Sequence, residues 1–111
     1  MTECIFCKII NRQLPATLVY EDEEAVAFAD IHPKAPVHLL IVPKQHITSL
    51  ADVSESDGGL LGRLLLIIHR LAAEQGIAAS GYKTVINTGA DGGQVVDHLH
   101  IHLLGGARLS D

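Results

Sequence analysis

Tryptophan is absent, and only four aromatic residues occur in the 111-residue chain: Phe6, Tyr20, Phe28 and Tyr82. A core built from so few rings is aliphatic, made of Leu, Ile, Val and Ala. Basic residues are also scarce. Eight Lys and Arg face thirteen Asp and Glu, for a net charge of −5, and no basic run interrupts the sequence. Nucleic-acid groove binders carry a cationic stripe, so that class is excluded. A small anionic substrate held by local groups is not. No apolar run approaches the length of a membrane span, the longest being residues 64–68. Residues 1–12 lack the basic and apolar regions of a secretory signal. A cytoplasmic location without membrane partners is the expectation. Cysteine is limited to Cys4 and Cys7. In a reducing compartment a Cys-x-x-Cys pair is a metal or redox element more often than a structural disulfide.

The length suits one domain, residues 1–111, and no repeat or linker divides it. Hydrophobic patterning predicts a short helix over 5–11, closed before Pro15. Strands are predicted over 18–20 and 25–29 across an acidic turn, and over 37–42, stopped by Pro43. Residues 46–53 read as a short helix or turn. A long helix is predicted over 58–75, with Ser56 and Asp57 as caps and Gly76 past its end. Strands over 82–87 and through the final histidine-rich segment complete an order that suggests an α+β meander sheet with helices on one side. Leucines and isoleucines cover most of the circumference of the long helix. A helix apolar nearly all round must be buried nearly all round. One sheet covers only one side, so a second copy of the chain is expected on the other.

The chemistry concentrates in His98-Leu99-His100-Ile101-His102-Leu103-Leu104, which holds three of the seven histidines. On a strand, side chains alternate between faces. The spacing therefore predicts three imidazoles on one face, roughly 6.6 Å apart, and three aliphatic side chains on the other. Imidazole is the side chain whose ordinary pKa lies nearest neutrality. The glycine-rich stretch 89–93 just upstream allows backbone N–H groups to approach a phosphate closely. His69 reads as structural or at the dimer contact, His38 as packed within its strand, and His32 lies in the loop 30–36 with no assigned role.

This histidine row, with Ile5-Phe6-Cys7-Lys8-Ile9-Ile10, Ala29-Asp30-Ile31-His32-Pro33-Lys34-Ala35-Pro36, Val42-Pro43-Lys44-Gln45-His46-Ile47 and Asn87-Thr88-Gly89-Ala90-Asp91-Gly92-Gly93-Gln94, resembles the histidine triad superfamily, in particular its Hint-like branch. The resemblance implies a five-stranded antiparallel sheet, paired into ten strands in a homodimer with long helices at the interface. It implies hydrolysis of purine nucleoside 5′-phosphoramidates or related AMP esters through a covalent nucleotidyl-histidine. His100 then corresponds to the nucleophile, and His102 to the group that contacts the phosphate oxygens or helps protonate the leaving group. Asp30 corresponds to the residue that binds the ribose hydroxyls, and Asn87, Gly93, Gln94 and Val95 to phosphate contacts. Ile5, Phe6, Ile9, Phe28 and Ile31 correspond to the base pocket.

Zinc-bearing relatives, the galactose-1-phosphate uridylyltransferase branch among them, place a Cys₂His₂ site at positions matching Cys4, Cys7, His46 and His98. Such a closed, net-neutral site is structural, which leaves His100 and His102 for chemistry. The chain departs from the family twice. Val95 stands where Ser or Thr is usual, so a side-chain hydroxyl is missing beside the phosphate. The sequence stops at Asp111, where Hint proteins often extend further. Other activities in the same superfamily are a dinucleoside polyphosphate hydrolase and a nucleotidyl transferase. A non-catalytic nucleotide-binding dimer is the alternative of another class.

Overall fold

The computed structural model describes residues 4–110. Met1–Glu3 and Asp111, which the readings of the two chain ends include, lie outside the described residues. Helix α1 (Ile5–Ile10) is followed by strands β1 (Leu18–Glu21), β2 (Ala25–Ala29) and β3 (Val37–Pro43). The long helix α2 (Gly58–Glu74) comes next, then strands β4 (Tyr82–Val85) and β5 (Ile101–Gly105). The five strands form one sheet in the order β1-β2-β3-β5-β4. Every neighbouring pair is antiparallel. The α+β class and the five antiparallel strands are as expected from the sequence, but the strand order is not a simple meander and the two helices lie on opposite faces of the sheet, not on one side. Among the described residues, no helix is long and apolar enough to cross a membrane.

The two faces of the sheet carry different cores. Ala25, Ala27, Leu39, Ile41, Ile101 and Leu103 pack against Leu64, Ile67, Ile68, Leu71 and Ala72 of α2. The buried residues of this face are all aliphatic, with Tyr20 packed at their margin. Across the sheet, Val26, Phe28, Leu40 and Val42 pack with Phe6 of α1. The pleat therefore sends the even positions of β3 and β5, including His38 and His102, towards the α1 side. Polar ties lock the edges. Arg63 of α2 reaches Asp22 and the Tyr20 hydroxyl, each at 2.8 Å. Burial works against the charge of Asp22, but bonds from Tyr20, Arg63 and the amides of Glu24 and Ala25 outweigh it. They hold the carboxyl well below the usual carboxylate range.

Helix α2 buries one face only. Leu65 and Leu66 remain 57% and 63% exposed, so a helix that is apolar over most of its circumference is covered on one side only. Asp57 is its N-cap residue, as expected, but makes no side-chain cap bond to the helix, and Ser56 is not the cap. A short 3₁₀ turn, Glu55–Asp57, precedes the helix, and Ser54 and Asp57 bond reciprocally as a capping box of that turn. Within 46–53 only Leu50–Asp52 is helical, as one 3₁₀ turn. Strand β4 ends at Val85, two residues earlier than expected.

The histidine row differs most. Only His102 lies within β5; His98 sits in a bend and His100 in irregular chain just before it. The β3–β5 register pairs Ile41 with Ile101 and Leu40 with His102. Continued by two residues, it would place Pro43 opposite Leu99. Proline has no N–H for the ladder, and Leu99 instead donates to the Ile47 carbonyl at 2.7 Å. The apolar half of the alternation holds: Leu99, Ile101 and Leu103 are all buried.

Candidate active site and metal centre

The three histidines of the row have distinct partners, and those partners assign their protons. His100 is 6% exposed, and its Nδ1 lies 2.7 Å from the His98 carbonyl. A carbonyl only accepts, so Nδ1 carries the hydrogen and Nε2 keeps a bare lone pair. The Phe6 ring stands edge-on to His100, with centroids 5.0 Å apart, and fixes the imidazole plane.

His102 is arranged the opposite way. The Lys34 backbone N–H donates to His38 Nδ1 at 3.1 Å. An accepting nitrogen carries no hydrogen, so His38 bears it on Nε2. That atom lies 2.9 Å from His102 Nδ1 and 3.4 Å from the Asp30 carboxylate. His102 Nδ1 is then the acceptor, and its hydrogen sits on Nε2. Burial, then the neighbouring His100 and His38, push the His102 pKa down to about 4. Burial likewise lowers His38, against the pull of Asp30. Both rings are neutral near pH 7. The His100 and His102 centroids are 5.1 Å apart, so a bare nitrogen and an N–H donor stand side by side.

His38 is packed in its strand, as its sequence context suggests, but it also orients His102. The sequence reading missed that second role. The two residues lie 64 positions apart, and only the β3–β5 register makes them diagonal neighbours on one face.

The remaining expected site residues divide. Asp30 follows β2, and its Oδ1 accepts from the His32 amide at 2.9 Å. Phe6 and Phe28 are buried core, with centroids 5.5 Å apart. Ile31 is 82% exposed and Ile5 50%. Ile5 and Val95 line a cavity of about 480 Å³ with Cys4, His46 and Asp97. Ile9 lines another, of about 380 Å³, with Leu18. The apolar set is thus partly core and partly rim, not one enclosed pocket. Asn87 donates to the Gly92 carbonyl at 2.8 Å. Gln94 accepts from the Gly89 amide and donates to the carbonyls of Thr48 and Val96. Both amides brace the glycine loop. Gly93 has φ +79°, and a Cβ on Gly92 would sit 2.3 Å from the Thr88 carbonyl oxygen. Val95 is 90% exposed at the end of this loop.

The first histidine belongs to a second constellation. Cys4 Sγ, Cys7 Sγ, His46 Nδ1 and His98 Nδ1 all lie within 4.8 Å of one another. The nitrogens are 3.1 Å apart. Sulfur–nitrogen separations are 3.2 Å for Cys4–His98, 3.2 Å for Cys7–His46 and 3.5 Å for Cys7–His98. Tetrahedral zinc with ordinary bond lengths gives edges of roughly 3.3 Å between nitrogens and roughly 3.5 Å between sulfur and nitrogen. The donor set therefore fits a zinc ion. The ring chemistry also agrees: His98 Nε2 donates to the Pro43 carbonyl at 2.8 Å, which leaves Nδ1 bare for a cation. Without a cation, burial, then the hydrogen bond and charge of Cys4, push the Cys7 thiol up to about 11. Such a thiol is a poor redox nucleophile.

This geometry coincides with known proteins. Residues 3–109 match the family model described as "Scavenger mRNA decapping enzyme C-term binding". The structure superposes on that of a HIT family hydrolase from Legionella pneumophila with TM-score 0.96 and 46% identity, covering 97% of this chain and 96% of that one. A histidine triad protein from Clostridium difficile gives TM-score 0.96 and 42% identity, covering all of this chain and 96% of that one. The chain belongs to the histidine triad superfamily, and it is a hydrolase. Within that class it is 46% identical over 107 residues to the purine nucleoside phosphoramidase of Escherichia coli K12, covering 96% of this chain and 90% of the relative. It is also 53% identical over 108 residues to an uncharacterised HIT-like protein of Synechococcus elongatus, covering 97% and 94%.

Proposed function

We propose that the protein hydrolyses purine nucleoside 5′-phosphoramidates, with AMP as the nucleotide half, through a nucleotidyl-His100 intermediate. The observation that carries this reading is the pair of opposite tautomers on adjacent rings. His100 offers a bare Nε2 lone pair, and His102 offers an Nε2–H. A neutral imidazole is a nucleophile at pH 7 without prior deprotonation. Nε2 of His100 attacks phosphorus, the P–N bond breaks, and its electron pair goes to the departing nitrogen. That nitrogen takes a proton from water and leaves as the amine.

His102 acts as a hydrogen-bond donor to the phosphoryl oxygens. With a pKa of about 4, only about one ring in a thousand is protonated at pH 7, so it is not a reservoir of acid. Nucleotidylation makes His100 cationic, and the His98 carbonyl on Nδ1 stabilises that charge. Water then attacks phosphorus and loses a proton to the hydroxide left by the first step, Nε2 regains its lone pair, and AMP is released. Asp30 presents a carboxylate to the ribose diol. Ile5, Phe6, Ile9, Phe28 and Ile31 bound the base, and the Gly93, Gln94 and Val95 segment with Asn87 bounds the phosphate.

Cys4, Cys7, His46 and His98 hold zinc, which supplies a structural cross-link between α1 and the chain entering β5. The uncovered Leu65 and Leu66 face of α2 and the open edge of β4 pair with a second copy in a homodimer. The chain acts as one domain in the cytoplasm.

The test of the reaction is an acid-free quench of protein with adenosine 5′-phosphoramidate, followed by peptide mass spectrometry. An AMP adduct on the His100 peptide is the expected result. Turnover with the adduct on another residue, or AMP binding with no turnover, overturns the assignment. A dinucleoside polyphosphate turned over much faster than the phosphoramidate favours the second reading within the superfamily.

A further inference from the structure

His98 touches both constellations. Its ring is held at each nitrogen: Nδ1 faces Cys4, Cys7 and His46, and Nε2 donates to Pro43. Its backbone carbonyl is the acceptor that fixes the His100 hydrogen on Nδ1. The segment between is not secured by the sheet, because the β3–β5 ladder begins only at Ile101. Leu99 makes one backbone bond there, to a loop carbonyl. The direction of the His98 carbonyl is therefore set by the anchoring of its own ring together with Leu99, whose side chain is buried and whose N–H is held by Ile47.

We propose that His98 is a positioning residue through which occupancy of the Cys4–Cys7–His46–His98 cluster sets the orientation and tautomer of His100. The inference rests on the zinc reading of this cluster and on His100 as the nucleophile. With the cluster filled, four side chains from three separate segments converge and the His98 ring cannot turn. The carbonyl then faces His100 Nδ1 through the whole reaction. With the cluster empty, two thiols and two facing Nδ1 atoms lose the cation that reconciles them. The ring of His98 relaxes, the carbonyl swings, and His100 samples the tautomer whose hydrogen blocks Nε2.

The cluster is reachable from solvent. His46 is exposed, and the cavity of about 480 Å³ that includes Cys4 and His46 opens beside it. A chelator can therefore reach a metal held here. No part of the reaction itself is assigned to the metal.

The experiment uses the full-length protein loaded with Zn²⁺, the same protein stripped by a chelator, and the stripped protein reloaded with Zn²⁺. Metal content is measured in each. Imidazole ¹H–¹⁵N spectra report the His100 ring, and kcat and KM are measured with adenosine 5′-phosphoramidate. The loaded protein is expected to give a protected His100 Nδ1–H and an unprotonated Nε2. Stripping is expected to broaden that N–H, mix the tautomers and lower kcat about ten-fold, with KM within about two-fold. Reloading restores all three. The variant His46→Asn, with folding checked by circular dichroism, repeats the stripped pattern and is not rescued by Zn²⁺.

Stoichiometric zinc with an unchanged His100 ring after stripping overturns the coupling and leaves the metal reading standing. No zinc uptake by the intact cluster overturns both. Zinc-dependent changes at His100 without phosphoramidate turnover uphold the coupling and overturn the hydrolase reading.

Discussion

Two histidine clusters flank His100, and by proximity alone both resemble metal sites. Cys4, Cys7, His46 and His98 form one, and Asp30, His38 and His102 the other. Hydrogen bonding separates them. In the first, sulfur and ring-nitrogen ligand atoms converge on a common point. In the second, donors and acceptors alternate, from the Lys34 amide through His38 to His102. A convergent set is stabilised by a cation, whereas an alternating chain is complete without one and passes on a choice of tautomer. The residue types are nearly the same. What differs is which lone pairs are already used.

The largest test of this contrast lies at the ring between the clusters. His100→Ala should lower phosphoramidate turnover by at least ~10³-fold, as for loss of a nucleophile. Steady-state kinetics checks it, and a loss under ten-fold would place the nucleophile elsewhere.

His38→Phe keeps the ring volume but removes the donor to His102. A drop in kcat of roughly 10²-fold is expected, with zinc content unchanged, because the alternating chain and the convergent cluster are separate. Loss of zinc in this variant would join what the structure divides.

A smaller effect concerns pH. The His102 pKa is lowered from 6.5 to about 4 in the folded chain. Between those values the unfolded chain binds the proton and the folded chain does not. Stability should therefore be full above about pH 6.5, fall with pH below it, and level off near pH 4. His102→Gln should flatten that fall in a series of thermal midpoints. An unchanged slope would assign the proton uptake to His38 or His98, which burial also lowers.

The smallest expected effect is on the other face of the sheet. Leu66→Lys places a charge on the uncovered side of α2. Sedimentation should show monomer in place of dimer, with catalytic tautomers unaltered. A variant that stays dimeric would move the interface away from this helix.

The sequence reading reached far where one periodicity dominates. Strand β2 has its expected bounds, because Ala25–Ala29 is bracketed by an acidic turn and Asp30. Helix α2 falls one residue short of its expected end, near Gly76. The row of histidines was legible as a site but not as a shape. Alternation alone places all three on one strand, whereas Pro43 denies the ladder its next N–H and takes the His98 ring with its carbonyl. The cysteine pair was legible by spacing, and its two histidines by resemblance. The link from His38 to His102 was not, since diagonal contact depends on register, which local pattern does not encode.

The glycine loop before the row sets a boundary for anyone rewriting this site. Gly92 has the Thr88 carbonyl where a side chain would begin, so a library over this loop contains one letter at that position whatever is ordered. Three residues on, Val95 projects into solvent and accepts nearly any letter. Engineering of the substrate mouth therefore has a free position and a fixed one almost side by side, and diversity spent on Gly92 is diversity taken from Val95.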